Sequence, residues 1–530
     1  SGSLSFVLDG QAVTVDGVRA EGATAGQAAD HGSLLEVLRD RLGVRTVKDG
    51  CSPQGQCGCC TVWVDGQPRV ACVTPASRVA GRAVTTVAGV AESAVLAERL
   101  CATGGSQCGF CTPGIIMRLA AIPEPQRSPE RVGQALLAHM CRCTGWQTIV
   151  AAVTPPRSPA VALGSGRDID AAARRASLEG GTAQSVSPQV ALGMGGFPAD
   201  SAPVDALHAV RAVDGSWHVA PSLTAARAAA GKVQGRRTTV AVHWPIEVPD
   251  GDWARTLQTT WVEPAYLEPP AAWCAPGGEP VTGLANGGAF GAKVPRGDGQ
   301  ATLDAAMREL GAAARRLADE HGRPVVAAWS REDMVRLGPK RPPVAGAVRA
   351  DGTGVLRVAR TAGIADAVAA VAPSLRVEEV DVVGPPTSAA VRGAGWAEAA
   401  VLLAPDDGWI TAPGGGAAHA EVLDGDVRVS VRCGDVLDLT VLRSYCIGAA
   451  HMALGWVRSE AVRVDDDGEP LDLTVRSFGV LRAVDMPTVE VVVDDDRGAP
   501  VNASDAVFAA VALAAWRHAG MPRRWPTMRP

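Results

Sequence analysis

Ten of the chain's thirteen cysteines lie between Cys51 and Cys143, and the other three, Cys274, Cys433 and Cys446, are scattered over the rest of its 530 residues. Crowding this sharp needs a local cause. The N-terminal residues show no basic segment followed by an apolar run, so no secretory signal is read and a cytoplasmic location is expected. In a reducing compartment a disulfide framework is the weaker explanation, and metal or iron-sulfur ligation the stronger.

The cysteines form two groups. The first reads Cys51-SPQGQ-Cys57-G-Cys59-Cys60, with Cys72 following in the hairpin-like run TVWVDGQPRVAC. Three close thiolates and a distant one suit a loop that wraps a cluster while a neighbouring strand closes it, as in plant-type [2Fe-2S] ferredoxins. Gly55 and Gly58 supply the permissive backbone such a loop needs. Upstream, Leu4 to Val15 reads as a hairpin turning at Asp9-Gly10, and Ser33-Leu-Leu-Glu36 as a capping box opening a helix to about Leu42. Structural zinc is the other reading; zinc sites usually carry two CxxC knuckles, and this group has one.

The second group is Gln107-Cys108-Gly-Phe-Cys111-Thr-Pro-Gly114 with Cys141-Arg-Cys143-Thr-Gly145. Thr112 and Thr144 are placed as N-caps, so that two helix starts face a shared anion. Residues 92–100 and 129–140 supply the supporting helices, with Leu136, Leu137 and Met140 at core spacing.

GCSPQGQCGCCTVWVDG, QCGFCTPGIIM and MCRCTGW, in this order, resemble the iron-sulfur portion of the molybdenum hydroxylase family, which includes xanthine oxidase and aldehyde oxidase. The resemblance spans about residues 4–155 and departs in having five residues, not four, between Cys51 and Cys57. It implies one [2Fe-2S] cluster on Cys51, Cys57, Cys60 and Cys72, with Cys59 a buried neighbour. A second would sit on Cys108, Cys111, Cys141 and Cys143. It places Gln107 and Cys143 beside molybdopterin, makes the helical cluster the first electron acceptor, and gives the first cluster, on its exposed loop, the relay to flavin.

Residues 154–197, rich in Pro, Ser and Gly, read as an extended linker with no flavin-binding region, so FAD is expected in another chain. Beyond them the resemblance continues in fragments: Tyr266-Leu-Glu-Pro269, the glycine-rich loop 287–293 with Gly288 and Phe290, Trp329 to Met334, Arg392 to Glu398, and Gly498-Ala-Pro500. These imply Gly288, Phe290 and Arg392 as cofactor-facing positions. Two departures point to a degenerate relative. Ala499 stands where the family places its catalytic glutamate, and a methyl group accepts no proton. Only about forty residues separate Glu398 from Leu442, where the family holds a large region supplying pterin-binding loops. Asp496 and Asp505 are read as solvated surface.

The fold class expected is therefore multidomain α+β. A plant-ferredoxin-like β-grasp domain (1–80) precedes a four-helix [2Fe-2S] bundle (81–155), a linker (156–194) and a truncated molybdopterin-binding-domain-like α+β body (195–530). VVAAW, DVRVSVRC, TVRSFGVL and TVEVVV read as body strands, and 301–317 and 506–519 as helices. His208, His218, His243, His419 and His451 lack ligand spacing. With 50 basic and 56 acidic residues, a net charge of −6 and no basic block, a nucleic-acid partner is excluded. The apolar run Ala506 to Trp516 is far below the roughly 20 residues of a membrane span. The function expected is an electron-transfer subunit, relaying electrons from a molybdopterin subunit to an FAD subunit through two clusters. A self-contained hydroxylase with an atypical base, and a non-enzymatic metal-binding assembly protein, are the alternatives. The substrate is not encoded in these residues.

Overall fold

The computed structural model describes residues 2–17, 32–154, 167–232, 235, 238–283, 286–287, 289–293, 302–494 and 496–528. The chain opens on β1 (Ser3–Leu8) and β2 (Gln11–Asp16), the expected hairpin, whose inward Leu4, Phe6 and Val15 alternate with exposed neighbours. Ser33 caps α1 (Leu34–Glu36) by accepting from the Glu36 amide, and the helix runs on as a π-turn through Arg41. The capping box is only half made, because the Glu36 carboxylate accepts instead from Thr224. Strands β3 (Thr61–Val64), β4 (Gln67–Val70) and β5 (Ala83–Thr85) complete a sheet in the order β2-β1-β5-β3-β4, with β1 and β5 parallel.

Four helices come next: α2 (Ser93–Thr103), α3 (Thr112–Ala120), α4 (Pro129–Ala135) and α5 (Gln147–Val153). Their apolar faces, among them Leu96, Leu100, Ile115, Ile116, Leu119, Val132 and Ile149, share one core. Helix α4 ends earlier than expected: Leu136–Ala138 tightens to a 3-10 turn and Met140 lies beyond it. Neither expected threonine cap forms. Cys111 is the N-cap of α3 and Trp146 that of α5, while the Thr144 hydroxyl lies 3.2 Å from Cys141 Sγ and accepts from the Trp146 amide at 3.4 Å.

The expected extended linker is corrected. Its described part holds α6 (Ile169–Gly180), opened by Asp168 accepting from the Ala171 amide, and α7 (Pro188–Ala191). Helix α6 docks because it carries buried partners: Arg175 reaches the Val436, Asp435 and Val501 carbonyls, and Glu179 accepts from the Ala503 and Ser504 amides. Those partners lie more than 250 residues away, beyond any local pattern.

The body is α+β, as expected. Strands β6 (Leu207–Arg211) and β7 (Trp217–Ala220) precede α8 (Leu223–Ala229), β8 (Arg255–Gln258) and β9 (Ala271–Cys274). Next come α9 (Thr302–His321), β10 (Val325–Ala328), α10 (Arg331–Leu337), β11 (Val344–Val348) and β12 (Gly354–Ala359). After these lie α11 (Ile364–Ala369), β13 (Leu375–Val380), α12 (Trp396–Leu403), β14 (Ile410–Thr411), β15 (Ala417–Leu423) and β16 (Asp426–Arg432). Helix α13 (Leu439–Arg458), β17 (Val489–Val493) and α14 (Ser504–His518) close the chain. The sheets run β7-β6-β10-β9, β13-β12-β11-β8 and β14-β15-β16-β17. Helices α13 and α14 pack together in the largest apolar core, where the Arg341 guanidinium lies 4.1 Å from the Trp456 ring and pairs with Glu398. TVRSFGVL is not a strand. Val475–Phe478 is a 3-10 turn, because Arg476 bonds the Gln56 and Leu137 carbonyls and clasps the first cysteine loop. Among the described residues no helix is long and apolar enough to cross a membrane.

Candidate functional site

The cysteine loop is built by short-range constraints. Gly55 and Gly58 have φ of 71° and 73°, which a side chain would strain. The Gln54 amide donates to Cys51 Sγ at 3.1 Å, as a loop wrapped round an anion requires. Cys51, Cys57, Cys60 and Cys72 are all buried, which corrects the expectation of an exposed loop. The cover comes from the body: Gln54 Nε2 donates to the Leu473 carbonyl, and Arg331 to the Gly50 carbonyl. Gln54, Arg331 and Arg476 were not singled out in the sequence, since nothing local marks them.

The thiols meet in pairs. Cys51 is in hydrogen-bonding contact with Cys57 and with Cys72, and Cys72 with Cys60. In the second group Cys108 and Cys143 lie 3.6 Å apart, and Cys141 contacts Cys111 and Cys143. Among the described residues no three or more donors converge on a single-ion position. A binuclear cluster asks for four thiolates, two at each iron. The contact pairs Cys51/Cys57 with Cys60/Cys72, and Cys108/Cys143 with Cys111/Cys141, fit that demand.

The two groups are pressed together through backbone. A Cβ on Gly114, in α3, would stand 2.3 Å from the Gly58 carbonyl oxygen, so only glycine permits this approach. His139 lies across the same contact. Its Nε2 is 3.2 Å from both the Gly114 carbonyl and Thr61 Oγ1. Thr61 already donates to Gly58, so the ring carries its proton on Nε2. Burial, then repulsion from Arg118, pushes His139 down to about 3; burial and Arg142 push His451 down to about 4.

Both imidazoles are therefore neutral in the folded chain while their unfolded counterparts protonate below about pH 6.5. Folded pKa values below the unfolded ones mean that stability falls as pH drops through 6.5 toward 4 and 3. At about 1.4 kcal/mol per unit, the pair costs on the order of 4 kcal/mol at pH 5. Denaturant midpoints at pH 7 and 5 should diverge accordingly, and His139→Gln should remove about half of the difference; equal sensitivity in the variant would refute this.

Cys108, Cys111 and Cys143 border a cavity of about 50 Å³, whose wall includes Gln107, Glu268, Phe290, Lys293, Arg392 and Tyr445. Gln107, Cys143, Phe290 and Arg392 thus line one cavity, while Gly288 lies outside the described residues. The polar groups of this wall are largely committed. Gln107 Nε2 donates to Ser444 Oγ at 2.9 Å and to the Cys143 carbonyl at 3.2 Å. Arg392 donates to Asp505 and to Ser504 Oγ, both at 2.9 Å, and Lys293 pairs with Glu268. Asp505 is therefore an ion-pair partner and not merely solvated surface. Tyr266 Oη is buried with no hydrogen-bond partner among the described residues. Ala499 does not line the cavity, and Glu268 is the carboxylate that does so among the described residues. A small-molecule site needs roughly 300 Å³ or more. The space among the described residues is smaller than a ligand the size of molybdopterin fills, and its polar side chains are mostly paired with one another.

Residues 86–154 match the model of a [2Fe-2S] binding domain. The nicotinate dehydrogenase small FeS subunit of Eubacterium barkeri is 38% identical over 125 residues, covering 23% of this chain and 79% of that subunit. The chain belongs to the molybdenum hydroxylase family. Other family members match only in part: aldehyde oxidoreductase of Megalodesulfovibrio gigas is 42% identical over 128 residues, 14% of its length. Against the crystal structure of the aldehyde oxidoreductase from Desulfovibrio desulfuricans ATCC 27774 the TM-score is 0.70 at 14% identity, covering 100% of this chain and 99% of that one. The molybdenum hydroxylase fold thus extends through the body.

Proposed function

We propose that this chain is the iron-sulfur electron-transfer subunit of a multi-subunit molybdenum hydroxylase, working in the cytoplasm. Cys51, Cys57, Cys60 and Cys72 would hold one [2Fe-2S] cluster, and Cys108, Cys111, Cys141 and Cys143 the other. Bound there, the clusters supply one-electron exchange. The chain's own residues do the rest: Gln54 directs an amide at the first thiol set, Thr144 a hydroxyl at the second, and Gly58 against Gly114 keeps the sets close. The observation that carries the reading is the gathering of eight thiols into two sets of contact pairs.

The molybdopterin site belongs to a partner in this reading, and FAD to another. The small, internally paired cavity beside Cys108 and Cys143 supports that division, with residues 195–530 serving as a scaffold. Dithionite reduction followed by electron paramagnetic resonance tests it: two distinct signals are expected, integrating to about two spins per chain. One signal, or none, would contradict the proposal. A self-contained hydroxylase is the second reading, favoured by the likeness in fold along the whole body; substrate-dependent bleaching of the isolated chain would select it.

A further inference from the structure

The first cysteine group has five members for four ligand positions, and the fifth is not idle. Cys59 is 1% exposed, and its thiol is in hydrogen-bonding contact with that of Cys57. The Cys59 thiol also donates to the Cys57 carbonyl, at 3.9 Å. Gly50 makes the approach possible: a Cβ there would stand 3.0 Å from Cys59 Sγ, 3.2 Å from Cys57 Sγ and 3.2 Å from the Phe110 ring. Cys59 also lies against α3 of the second group, since a Cβ on Gly114 would stand 2.9 Å from the Cys59 carbonyl oxygen.

Resting on the reading that Cys57 ligates a cluster, we propose that Cys59 is a positioning residue whose S–H donates to Cys57 sulfur and raises the reduction potential of the first cluster. Once Cys57 binds iron as a thiolate, its charged sulfur is a stronger acceptor than that carbonyl. Reduction adds negative charge to the cluster and its sulfurs, and a buried donor stabilises that added charge without competition from water. The effect falls on one cluster of the two. It makes the first group the better electron sink and so favours transfer from the Cys108 group toward the Cys51 group.

Anaerobic redox titration of the full chain, followed by electron paramagnetic resonance, tests this with Cys59→Ala and Cys59→Ser. Both variants should keep about four iron per chain. In Cys59→Ala one cluster should become three- to tenfold harder to reduce at fixed poise, about 30 to 60 mV at 59 mV per decade, while the other stays put. Cys59→Ser, which keeps an O–H donor, should recover most of the shift. An unshifted potential in Cys59→Ala, an equal shift of both clusters, or loss of iron (which would make Cys59 a ligand) overturns the inference while the cluster reading stands. A wild-type chain without iron overturns that reading and the inference with it.

Discussion

Replacing Cys111 with alanine should halve the iron of this protein, from about four to about two per chain, and erase one of its two reduced-state resonance signals while the other persists. Cys111 is buried at the start of α3, in contact with Cys141, and shares a core with Ile115, Leu119 and Trp146. Losing the thiol alone removes little volume, so a large effect must come from the missing ligand. Three thiolates leave one iron incompletely held, and that cluster is lost or strongly labile. Cys57→Ala should remove the other signal, leaving the Cys108 group intact. The reciprocal result is the informative one: each variant keeps the signal its partner loses. Unchanged iron in Cys111→Ala would remove it from the ligand set, and joint loss of both signals would mean that the two groups are not separate sites.

The second large effect is expected at the ion pair that fastens the second cysteine group to the body. Arg142, between Cys141 and Cys143, donates to both oxygens of Glu460 at 2.6 and 2.5 Å, and to the Pro264 carbonyl at 3.0 Å. The side chains are 5% and 1% exposed. Neither charge can recover solvent if its partner is removed. Glu460→Gln should therefore destabilise the chain by about 3 to 5 kcal/mol, since breaking a buried pair strands the remaining charge. Replacing both partners together, as Arg142→Met with Glu460→Leu, should recover much of that loss, because two desolvated charges disappear along with their attraction. Denaturant unfolding of the three variants measures this. A loss below about 1 kcal/mol in Glu460→Gln, typical of exposed pairs, would show that the contact does not fasten the two parts.

Both effects involve features that differ in how far the sequence exposes them. The cysteine groups were legible because their geometry is set by spacing and by glycines within a few residues of each thiol. The first hairpin and the helices at 93–103 and 112–120 were legible for the same reason. Glu460 was not: it meets Arg142 across 318 residues, and no local pattern announces such a partner. The same holds for Arg392, placed toward a cofactor by resemblance yet held by Asp505 from 113 residues away. Thr112 and Thr144 looked like caps because local rules weigh only the next few residues of the chain. Thr144 serves a cysteine instead, and Thr112 Oγ1 lies 3.3 Å from Ser106 Oγ. Arg476 turned an apparent strand into a clasp for the same reason, since its acceptors are supplied by Gln56 and Leu137. The long-range partner was consistently the concealed element, and such partners bury the first cysteine loop and occupy the cavity wall.

The most direct measurement is the metal content of the full-length chain purified anaerobically from a host that makes molybdopterin. About four iron with matching labile sulfide, and no molybdenum, is the predicted composition. One molybdenum per chain, or zinc in place of the iron, would contradict it.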